Sequence, residues 1–388
     1  MRGGRVDPLG ASKASVSPIF AKGPAELAPE TLENRRSCPA ISLKAPTGPA
    51  VLLIVTLVAQ WIIFGIWALA PAVSEWHRYV QPLVWIPDWT WFVGLSPIAV
   101  VAIVLGIRSG RTGCRLGWVG VLAAVLPLAV VGAGIHQREW RPWASADSAP
   151  AGRIVFLNAW DPPREKVGAL IDEIEALDAD LVVIVNPGWI APVWRERVAS
   201  GRANLRDLAT TSASRTWKVR WMTPFLVASR GDFVTLRTVS RKAGIKAVRV
   251  SLPEQLSASL GMNQVLVVDL PSDLRRSRTE MVDEIRRAVQ SDMDRRGEGV
   301  DLVLGDLNLT PRTPALARLL PGMRDLFLGG GVGWGATWPR ETPVVRIDFA
   351  LGADTFGPTT VQTFDPGTGG HRGLILEVNL SAKAETSR

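Results

Sequence analysis

The chain has 388 residues, of which 47% are hydrophobic and 21% are charged, and its net charge at neutral pH is +8. This length allows two or three domains, and the apolar content is ordinary but unevenly distributed. Its two cysteines, Cys38 and Cys114, both precede residue 137. A disulfide or a cysteine-ligated metal site is therefore excluded for the C-terminal region.

Residues 1–49 are rich in proline, alanine and serine, and they show no sustained apolar periodicity. This composition is typical of a disordered tail. The first thirty residues contain no apolar core of the kind found in signal peptides, so we expect no cleaved leader.

Three apolar runs follow, at residues 50–70, 89–107 and 116–135, and none contains a charged side chain. Each is long enough to cross a bilayer, and tryptophans crowd their ends, as in the aromatic belts of membrane proteins. Buried helices of a soluble domain are the alternative, but three such runs in succession favour a membrane anchor over residues 50–136. The absence of internal charges argues against a transporter or channel.

The distribution of Lys and Arg predicts the orientation of this anchor. Six cations lie on one side of the predicted spans and four on the other: Arg35, Arg36, Lys44, Arg108, Arg111 and Arg115 against Arg78, Arg138, Arg141 and Arg153. By the positive-inside rule, this small excess places the N-terminus in the cytoplasm and the C-terminal domain outside it.

A Pro/Ala/Ser-rich linker at residues 137–152 precedes a predicted domain at 153–382 and a tail at 383–388. The domain is predicted to begin with a strand that ends at Asn158. Apolar residues at helical spacing then predict a helix over 163–177, and an apolar run predicts a buried strand over 181–185, followed by Asn186. Such a strand–helix–strand unit implies parallel neighbours in an α/β sheet, whose ligands gather at the carboxyl ends of the strands.

In the middle of the domain, loosely alternating apolar residues predict antiparallel strands over 217–229 and 233–250. A further predicted strand ends just before Asp269. Thr279 is the predicted N-cap of a helix over 279–296. Residues 195–249 contain thirteen Lys/Arg against three acidic residues. This excess fits either a solvated arginine face or a surface for lipid head groups or another polyanion.

Residues 300–310 (VDLVLGDLNLT) are the centre of the predicted site. Apolar residues form a buried strand, Gly305 is the expected turn point, and Asp306 and Asn308 follow at a spacing that points both side chains the same way. A carboxylate and an amide at a strand end suit metal binding or orientation of a water. An Asx turn that only closes the strand is the alternative.

The order of the polar motifs resembles the endonuclease/exonuclease/phosphatase (DNase I-like) superfamily. Asn158, the Gly-Asp-Leu-Asn of residues 305–308, the Thr-Trp-Pro of 337–339, the Arg-Ile-Asp-Phe of 346–349 and the His-Arg of 371–372 match its pattern in order. The resemblance spans about residues 153–380 and implies a two-sheet α/β sandwich with its site at one rim, here preceded by three transmembrane helices.

The resemblance also implies roles for these residues. Asp306 would activate water beside Asn308, Asp348 would hold His371 so that the imidazole binds phosphate, and Asn158 and Asn308 would contact the substrate. The structural alternatives are that Asn158 only ends a strand and that Asp348 pairs with Arg346 or Arg372.

Three positions depart from the superfamily pattern. Asn186 stands where the metal-binding Glu is expected, Asp269 where a His is expected, and Gly370 where an Asp is expected. Mg²⁺ or Mn²⁺ favours carboxylate oxygen. Asn186, Asp269 and Asp306 are therefore the candidate ligands of a rearranged metal site, unless Asp269 only caps a turn.

Two functions remain open from the sequence. One is a membrane-tethered, metal-dependent phosphodiesterase or phosphomonoesterase acting on a phosphorylated small molecule or a lipid head group. The other is a catalytically impaired member of the same fold that acts as a binding or interaction module. Nucleic acid is the weaker substrate candidate, because the domain is predicted to be extracytoplasmic and lacks an ordered basic–aromatic stripe.

Overall fold

The structure is a computed structural model that describes residues 48–74, 78–111, 115–142, 150–160, 162–200, 217–273, 275–354, 356–357 and 359–379. The predicted tails up to residue 47 and at 383–388 lie outside these ranges, as do Cys38, Cys114 and the part of the basic segment at 201–216. All of the described residues belong to one compact unit.

Three long helices form the N-terminal part of the described chain: α1 (Gly48–Ser74), α3 (Asp88–Arg111) and α4 (Arg115–Arg138), with the short helix α2 (Gln81–Trp85) between α1 and α3. Each of the three is long and apolar enough to cross a membrane. The three predicted spans are thus confirmed as helices of membrane-crossing length and composition.

Close backbone approach joins α3 and α4. A Cβ on Gly106 would lie 2.7 Å from the carbonyl oxygen of Gly117, and one on Gly117 would lie 2.4 Å from that of Gly106. Small residues allow such close contact. In lipid the hydrophobic effect does not drive helices together, so close van der Waals packing of this kind stabilises their association. Larger side chains at these two positions would push the helices apart.

The rest of the described chain is an α/β sandwich. Its strands are β1 (Trp140–Arg141), β2 (Gly152–Asn158), β3 (Leu181–Val185), β4 (Trp217–Met222), β5 (Phe225–Arg230), β6 (Thr235–Ser240), β7 (Lys246–Ser251), β8 (Gln264–Asp269), β9 (Leu302–Asp306), β10 (Met323–Asp325), β11 (Gly331–Trp334), β12 (Asp348–Ala353), β13 (Thr359–Phe364) and β14 (Gly373–Val378). Its helices are α5 (Val167–Ala176), α6 (Ile190–Ala199), α7 (Glu254–Leu260), α8 (Arg278–Arg296) and α9 (Leu326–Gly330).

The described strands form two mixed sheets. One has the order β1-β11-β13-β14-β2-β3-β5-β4, and the other has the order β10-β12-β9-β8-β7-β6. The pairs β2–β3 and β8–β9 are parallel, as the strand–helix–strand pattern predicts. The predicted two-sheet α/β sandwich is therefore confirmed.

Burial on both faces explains why the central strands are continuously apolar. Alternate residues such as Phe156, Val183 and Leu304 form the core between the two sheets. The intervening residues face outward, where α5 and α6 cover the first sheet and α8 covers the second. Strands buried on both faces carry few polar residues, so the polar side chains at their ends stand out.

Three local expectations from the sequence are corrected. The N-cap of α8 is Ser277 rather than Thr279, because the Ser277 hydroxyl accepts a hydrogen bond from the Glu280 amide at 3.3 Å. Gly305 lies within β9, not at a turn, and a Cβ there would lie 2.4 Å from the carbonyl oxygen of Val268. Part of the predicted linker, Trp140–Arg141, is an edge strand that pairs with β11.

A half-buried acid, Glu139, lies directly after α4 where the anchor joins the sandwich. One of its carboxylate oxygens accepts a hydrogen bond from the Asp88 amide at 3.1 Å, and the other is buried without a hydrogen-bond partner. Burial, followed by the charge of Asp88, raises the pKa of Glu139 from 4.5 to about 7. Ionisation of this group near neutral pH is therefore unfavourable in the folded chain.

We expect the Glu139→Gln variant to be more stable than the parent at alkaline pH. The folded pKa lies above the unfolded value, so the stability that protonated Glu139 contributes is complete below pH 4.5 and is lost as the pH rises through about 7. The shift corresponds to about 3 kcal/mol. Thermal unfolding in detergent should give equal midpoints near pH 4.5 and a higher midpoint for the variant at pH 8.5. If the midpoints of the variant and the parent differed by the same amount at both pH values, the raised pKa of Glu139 would be contradicted.

Candidate active site

The carboxyl ends of four central strands meet at one rim of the sandwich. β2 ends at Asn158, β8 at Asp269 and β9 at Asp306, while Asn186 directly follows β3. Asp269 and Asp306 are register partners in the parallel pair β8–β9. The sheet order thus places at one edge four polar side chains that are distant in sequence.

Asp306 lies at the centre of this cluster. One of its carboxylate oxygens accepts a hydrogen bond from the Asn158 amide at 2.8 Å, and the other accepts from the Asn308 backbone amide at 3.0 Å. The second bond is the Asx turn considered from the sequence. Because the first bond reaches across to the other sheet, Asp306 both closes its strand and belongs to the site.

His371 and Asp348 form a buried pair next to Asp306. An oxygen of Asp348 lies 2.8 Å from Nδ1 of His371, and Nε2 of His371 lies 3.5 Å from the Asn158 amide nitrogen. The Thr337 hydroxyl accepts a hydrogen bond from the Asp348 backbone amide at 3.3 Å, which steadies the start of β12. The imidazole is therefore oriented by a carboxylate on one side and directed toward Asn158 on the other.

The two arginines considered as partners of Asp348 lie elsewhere. The Arg346 guanidinium donates to both oxygens of Asp325 at 2.9 and 2.7 Å. Arg372 donates to the backbone carbonyl of Arg340 at 3.1 Å.

Asn308 is buried beside the cluster with a different partner. Its side-chain amide donates to the backbone carbonyl of Leu270 at 2.7 Å, and its φ is +46°. β9 ends at Asp306, so the alternation of strand side chains does not extend to Asn308. Asp306 and Asn308 therefore reach the rim with different hydrogen-bond partners.

Asn186 and Asp269 extend the cluster toward solvent. The Asn186 amide donates to the Asn158 carbonyl oxygen at 3.2 Å and also hydrogen-bonds Asp269. Asp269 accepts from the ammonium of Lys246 at 2.9 Å. The structure therefore brings all seven of the predicted site residues to one rim, with Asn186 and Asp269 on its more open side.

Charges at this rim shift several pKa values. Burial, reinforced by the neighbouring charge of Asp348, raises the pKa of Asp306 well above its usual range. Burial also raises the pKa of Asp269, with Lys246 opposing the shift. For His371, burial alone would lower the pKa, but the charge and hydrogen bond of Asp348 outweigh it and the pKa is raised. Perturbed pKa values of this kind are concentrated at functional sites.

Two cations near the site were not singled out from the sequence. Lys246 is the register partner of Asp269 in the β7–β8 pair. Arg278, at the start of α8, is buried close enough to Asp306 for their charges to interact, and burial lowers its pKa to about 10. The only sequence signal for either is membership of a Lys/Arg-rich stretch, which does not show which cation turns inward.

No protein-family model matches the chain, and no curated protein sequence matches it either. Similar solved structures do exist. One is an endonuclease/exonuclease/phosphatase family protein from Bacteroides thetaiotaomicron, at 10% identity over 58% of this chain and 96% of that protein, with a TM-score of 0.40. Others are TDP2 from Caenorhabditis elegans, at 10% identity over 74% and 92% with a TM-score of 0.39, and ANGEL2, a 2′,3′-cyclic phosphatase, at 11% identity over 62% and 97% with a TM-score of 0.33.

The fold resembles that of the endonuclease/exonuclease/phosphatase superfamily. The motif order and the two-sheet sandwich of this chain agree with that resemblance. With these identities and TM-scores, the comparison carries no argument about activity, which depends on the side chains of this chain alone.

The departure from the superfamily pattern at Gly370 has a local explanation. A Cβ on Gly370 would lie 2.2 Å from the indole ring of Trp160. Trp160 itself has a φ of +42°, a strained conformation for a bulky residue, and its ring meets the His371 ring edge-on at 6.2 Å. Trp160 therefore occupies the space that an aspartate side chain at position 370 would need, and it forms one wall of the site.

Metal binding was tested against the donor atoms that the site offers. One potential ligand atom from each of Asp306, Asp348 and His371 lies within 4.8 Å of the other two, and all three residues are buried. The second oxygen of Asp348 is buried without a hydrogen-bond partner. Two carboxylates with an unsatisfied oxygen fit a hard divalent cation. This set shares only Asp306 with the predicted ligands Asn186, Asp269 and Asp306.

Proposed function

We propose that this protein is a membrane-tethered phosphoesterase that hydrolyses phosphodiesters or phosphomonoesters. The observation that carries the proposal is the buried cluster at this rim in which Asn158 donates to Asp306 and Asp348 orients His371. It combines an acceptor for a proton from water with an imidazole oriented by a carboxylate. These are the groups that ester hydrolysis requires.

Asp306 is the proposed base. Its two oxygens are held by Asn158 and the Asn308 amide, so its orientation is fixed before substrate arrives. Burial and the charge of Asp348 raise its pKa, so the ionised carboxylate holds a proton taken from water more firmly than a free carboxylate does. In the reaction the water oxygen bonds to phosphorus, Asp306 takes the water proton, and the bond from phosphorus to the alcohol oxygen breaks.

His371 is the proposed partner of the phosphoryl group. Asp348 favours the protonated imidazole, which places positive charge where phosphate oxygens bind. The same proton is available to the departing alkoxide, so the leaving group becomes a neutral alcohol. Asn158, and Asn308 through its remaining acceptor, complete the proposed substrate contacts.

Asp306 and Asp348 are the proposed ligands of Mg²⁺ or Mn²⁺, with Asn186 and Asp269 as further oxygen donors on the open side. When bound, such an ion would polarise a phosphoryl oxygen and lower the pKa of a coordinated water.

A second candidate function is a binding module that does not turn its ligand over. It is favoured by the contacts of Asn158, Asn186 and Asp269, because the two amides bond each other and Lys246 already neutralises the carboxylate. An arrangement of this kind can hold a phosphate through Lys246 and His371 without activating water. The two candidates differ in turnover and not in binding.

The location of the site is also a proposal. The small excess of cations on one side of the spans favours a cytoplasmic N-terminus and an extracytoplasmic catalytic domain. On that side the available esters are small phosphorylated molecules and lipid head groups, and nucleic acid is the weaker candidate. Protease accessibility of the domain in intact cells tests the orientation.

The test of the proposed function uses the full chain in detergent, because β1 and the helices of the anchor pack against the sandwich. An aryl phosphodiester and an aryl phosphomonoester are assayed without metal and with millimolar Mg²⁺ or Mn²⁺. We expect turnover only with metal. The ion should also raise the midpoint of thermal unfolding, by the equivalent of about 2.7 kcal/mol at a concentration one hundred times the dissociation constant.

The Asp348→Asn variant tests the proposed metal ligands, and the parent separates the two candidates. We expect the variant to lose both the metal-induced stabilisation and the turnover, because it removes charge from the proposed ligand set. Stabilisation of the parent by inorganic phosphate, without turnover under any metal condition, would support the binding module and overturn the phosphoesterase.

A further inference from the structure

The membrane anchor contacts the loop that follows β9, the strand that ends at the proposed base Asp306. Thr310, four residues after Asp306, donates its hydroxyl proton to the backbone carbonyl of Val84 in α2 at 3.0 Å. Arg312 donates to the carbonyl of Trp67 in α1, and its guanidinium lies 4.6 Å from the centre of the Trp67 ring. The loop that follows β9 is therefore in direct contact with α1 and α2.

The anchor also touches the loop before β12 and the start of α8. The indole of Trp89 donates to the carbonyl of Val344, which precedes Asp348 by four residues, at 3.4 Å. The Arg278 guanidinium lies 5.3 Å from the centre of the Trp85 ring. The loops that position Asp306 and Asp348 thus lie at the level where the apolar spans end, which is the surface of a bilayer.

A buried ionic contact keeps this arrangement in place. Asp88, the first residue of α3, is fully buried and accepts hydrogen bonds from the Trp67 indole at 2.9 Å and from Arg138 at 2.7 Å. Arg312 of the sandwich approaches the same carboxylate at 3.4 Å. One carboxylate therefore joins α1, α3, α4 and the loop after β9. Without Arg312, Asp88 keeps its bonds to Trp67 and Arg138, so the three helices stay together while the contact with the sandwich is weakened.

Exposed aromatic and basic side chains also flank the site. Trp160, which contacts His371, is 60% exposed, and Trp189, three residues after Asn186, is 47% exposed. The Arg164 guanidinium stacks on the Trp189 ring at 4.7 Å. Large exposed indoles are unfavourable in water but favourable among lipid head groups, and adjacent cations attract anionic phosphate.

We infer that the substrates of this site are phosphate esters in the head groups of lipids in the same bilayer. The inference rests on the proposed phosphoesterase activity and adds the substrate class to it. Loops beside the site contact the anchor, and exposed Trp and Arg side chains flank the site, so a head group can reach it while the acyl chains remain in the membrane. Hydrolysis adds water across the phosphorus–oxygen ester bond, with the phosphate on one product and the hydroxyl on the other.

The first test compares lipid in the same vesicle with lipid in a different vesicle. The full chain is reconstituted into phosphatidylcholine vesicles with phosphatidic acid as monoester probe or phosphatidylglycerol as diester probe. In the second arm the same probe lipid is supplied only in protein-free vesicles. Because the tether raises the effective concentration of substrate, we expect turnover about one hundred times faster when protein and lipid share a bilayer.

The second test uses Arg312→Ala to loosen the contact between the anchor and the sandwich. We expect lipid turnover within one vesicle to fall about tenfold, while hydrolysis of a soluble aryl ester stays within about twofold of the parent. Unchanged aryl ester hydrolysis also shows that the variant is folded. Arg286→Ala, on an exposed face of α8, is the matched control and should change neither rate.

The outcomes distinguish failure of the lipid inference from failure of the proposed phosphoesterase function. Turnover of aryl esters but of neither lipid probe, or equal rates in the two vesicle arms, overturns the lipid inference and leaves the phosphoesterase standing. Turnover of no ester in any arm overturns both.

Discussion

The Asp306→Asn variant is expected to reduce turnover of a phosphate ester by about a thousandfold, the scale of losing a positioned base. The change removes the proton acceptor and one of two candidate metal carboxylates while preserving the shape of the side chain. The raised pKa of Asp306 reflects burial and the charge of Asp348, so its ionised form is unfavourable in the folded chain. We therefore expect the variant to lose activity without losing stability.

The measurement pairs steady-state hydrolysis of the aryl ester with thermal unfolding of the same preparation. Asp283→Asn, an exposed residue of α8 in a surface pair with Arg286, is the matched control and should leave both readings unchanged. If Asp306→Asn retained more than about a tenth of the parent rate, Asp306 could not be the base, since general-base catalysis contributes at least about a hundredfold. Loss of stability together with activity would instead indicate a structural role.

The strand ends of the site could be predicted from the sequence because they are local features. Asn158 and Asp306 each end a short apolar run, and the sheet order brings such ends together at one edge. His371 could be assigned because it is the only histidine after residue 136. The resemblance then supplied the order of the motifs, which composition alone does not contain.

The missed contacts depend on register and not on local pattern. Lys246 reaches Asp269 only because the two are partners in an antiparallel pair twenty-three residues apart. Trp160 fills the space beside Gly370 through a left-handed backbone conformation that no periodicity predicts. The docking of α2 against Thr310 depends on how two separately predicted regions meet. A single sequence carries no direct signal for any of these contacts.

Arg249 shows the same limit in the fold. It belongs to the basic stretch that the sequence favours as a solvated face, yet its side chain is only 1% exposed. Its guanidinium donates to Asp292 of α8 at 2.7 Å and to the carbonyl of Gly299 at 2.7 Å. Arg249 therefore joins β7 to the helix that covers the second sheet. The number of Lys and Arg residues in the basic stretch is thus larger than the number of cations at its surface.

Removing the partner of this buried arginine is expected to have the largest effect on stability. The Asp292→Leu variant leaves the Arg249 charge in the interior, where one of its terminal nitrogens already lacks a hydrogen-bond partner. Breaking a buried pair in this way costs about 3–5 kcal/mol, since the remaining charge stays desolvated. Denaturant or thermal unfolding of the full chain in detergent measures the loss. Asp294→Leu, two residues along the same helix, should change stability by less than about 0.5 kcal/mol.

The double variant Asp292→Leu/Arg249→Met distinguishes the charge from the packing. Replacing both members with apolar side chains of similar length removes the buried uncompensated charge, and such replacements are often neutral or stabilising. Arg296, which also donates to Asp292 at 3.0 Å, is partly exposed and can be solvated instead. We expect the double variant to recover most of the stability lost in Asp292→Leu, and to retain turnover because neither residue lies at the strand ends that carry the site. A double variant as unstable as the single one would show that the ion pair fixes the position of α8 through its geometry, and that an apolar contact cannot replace it.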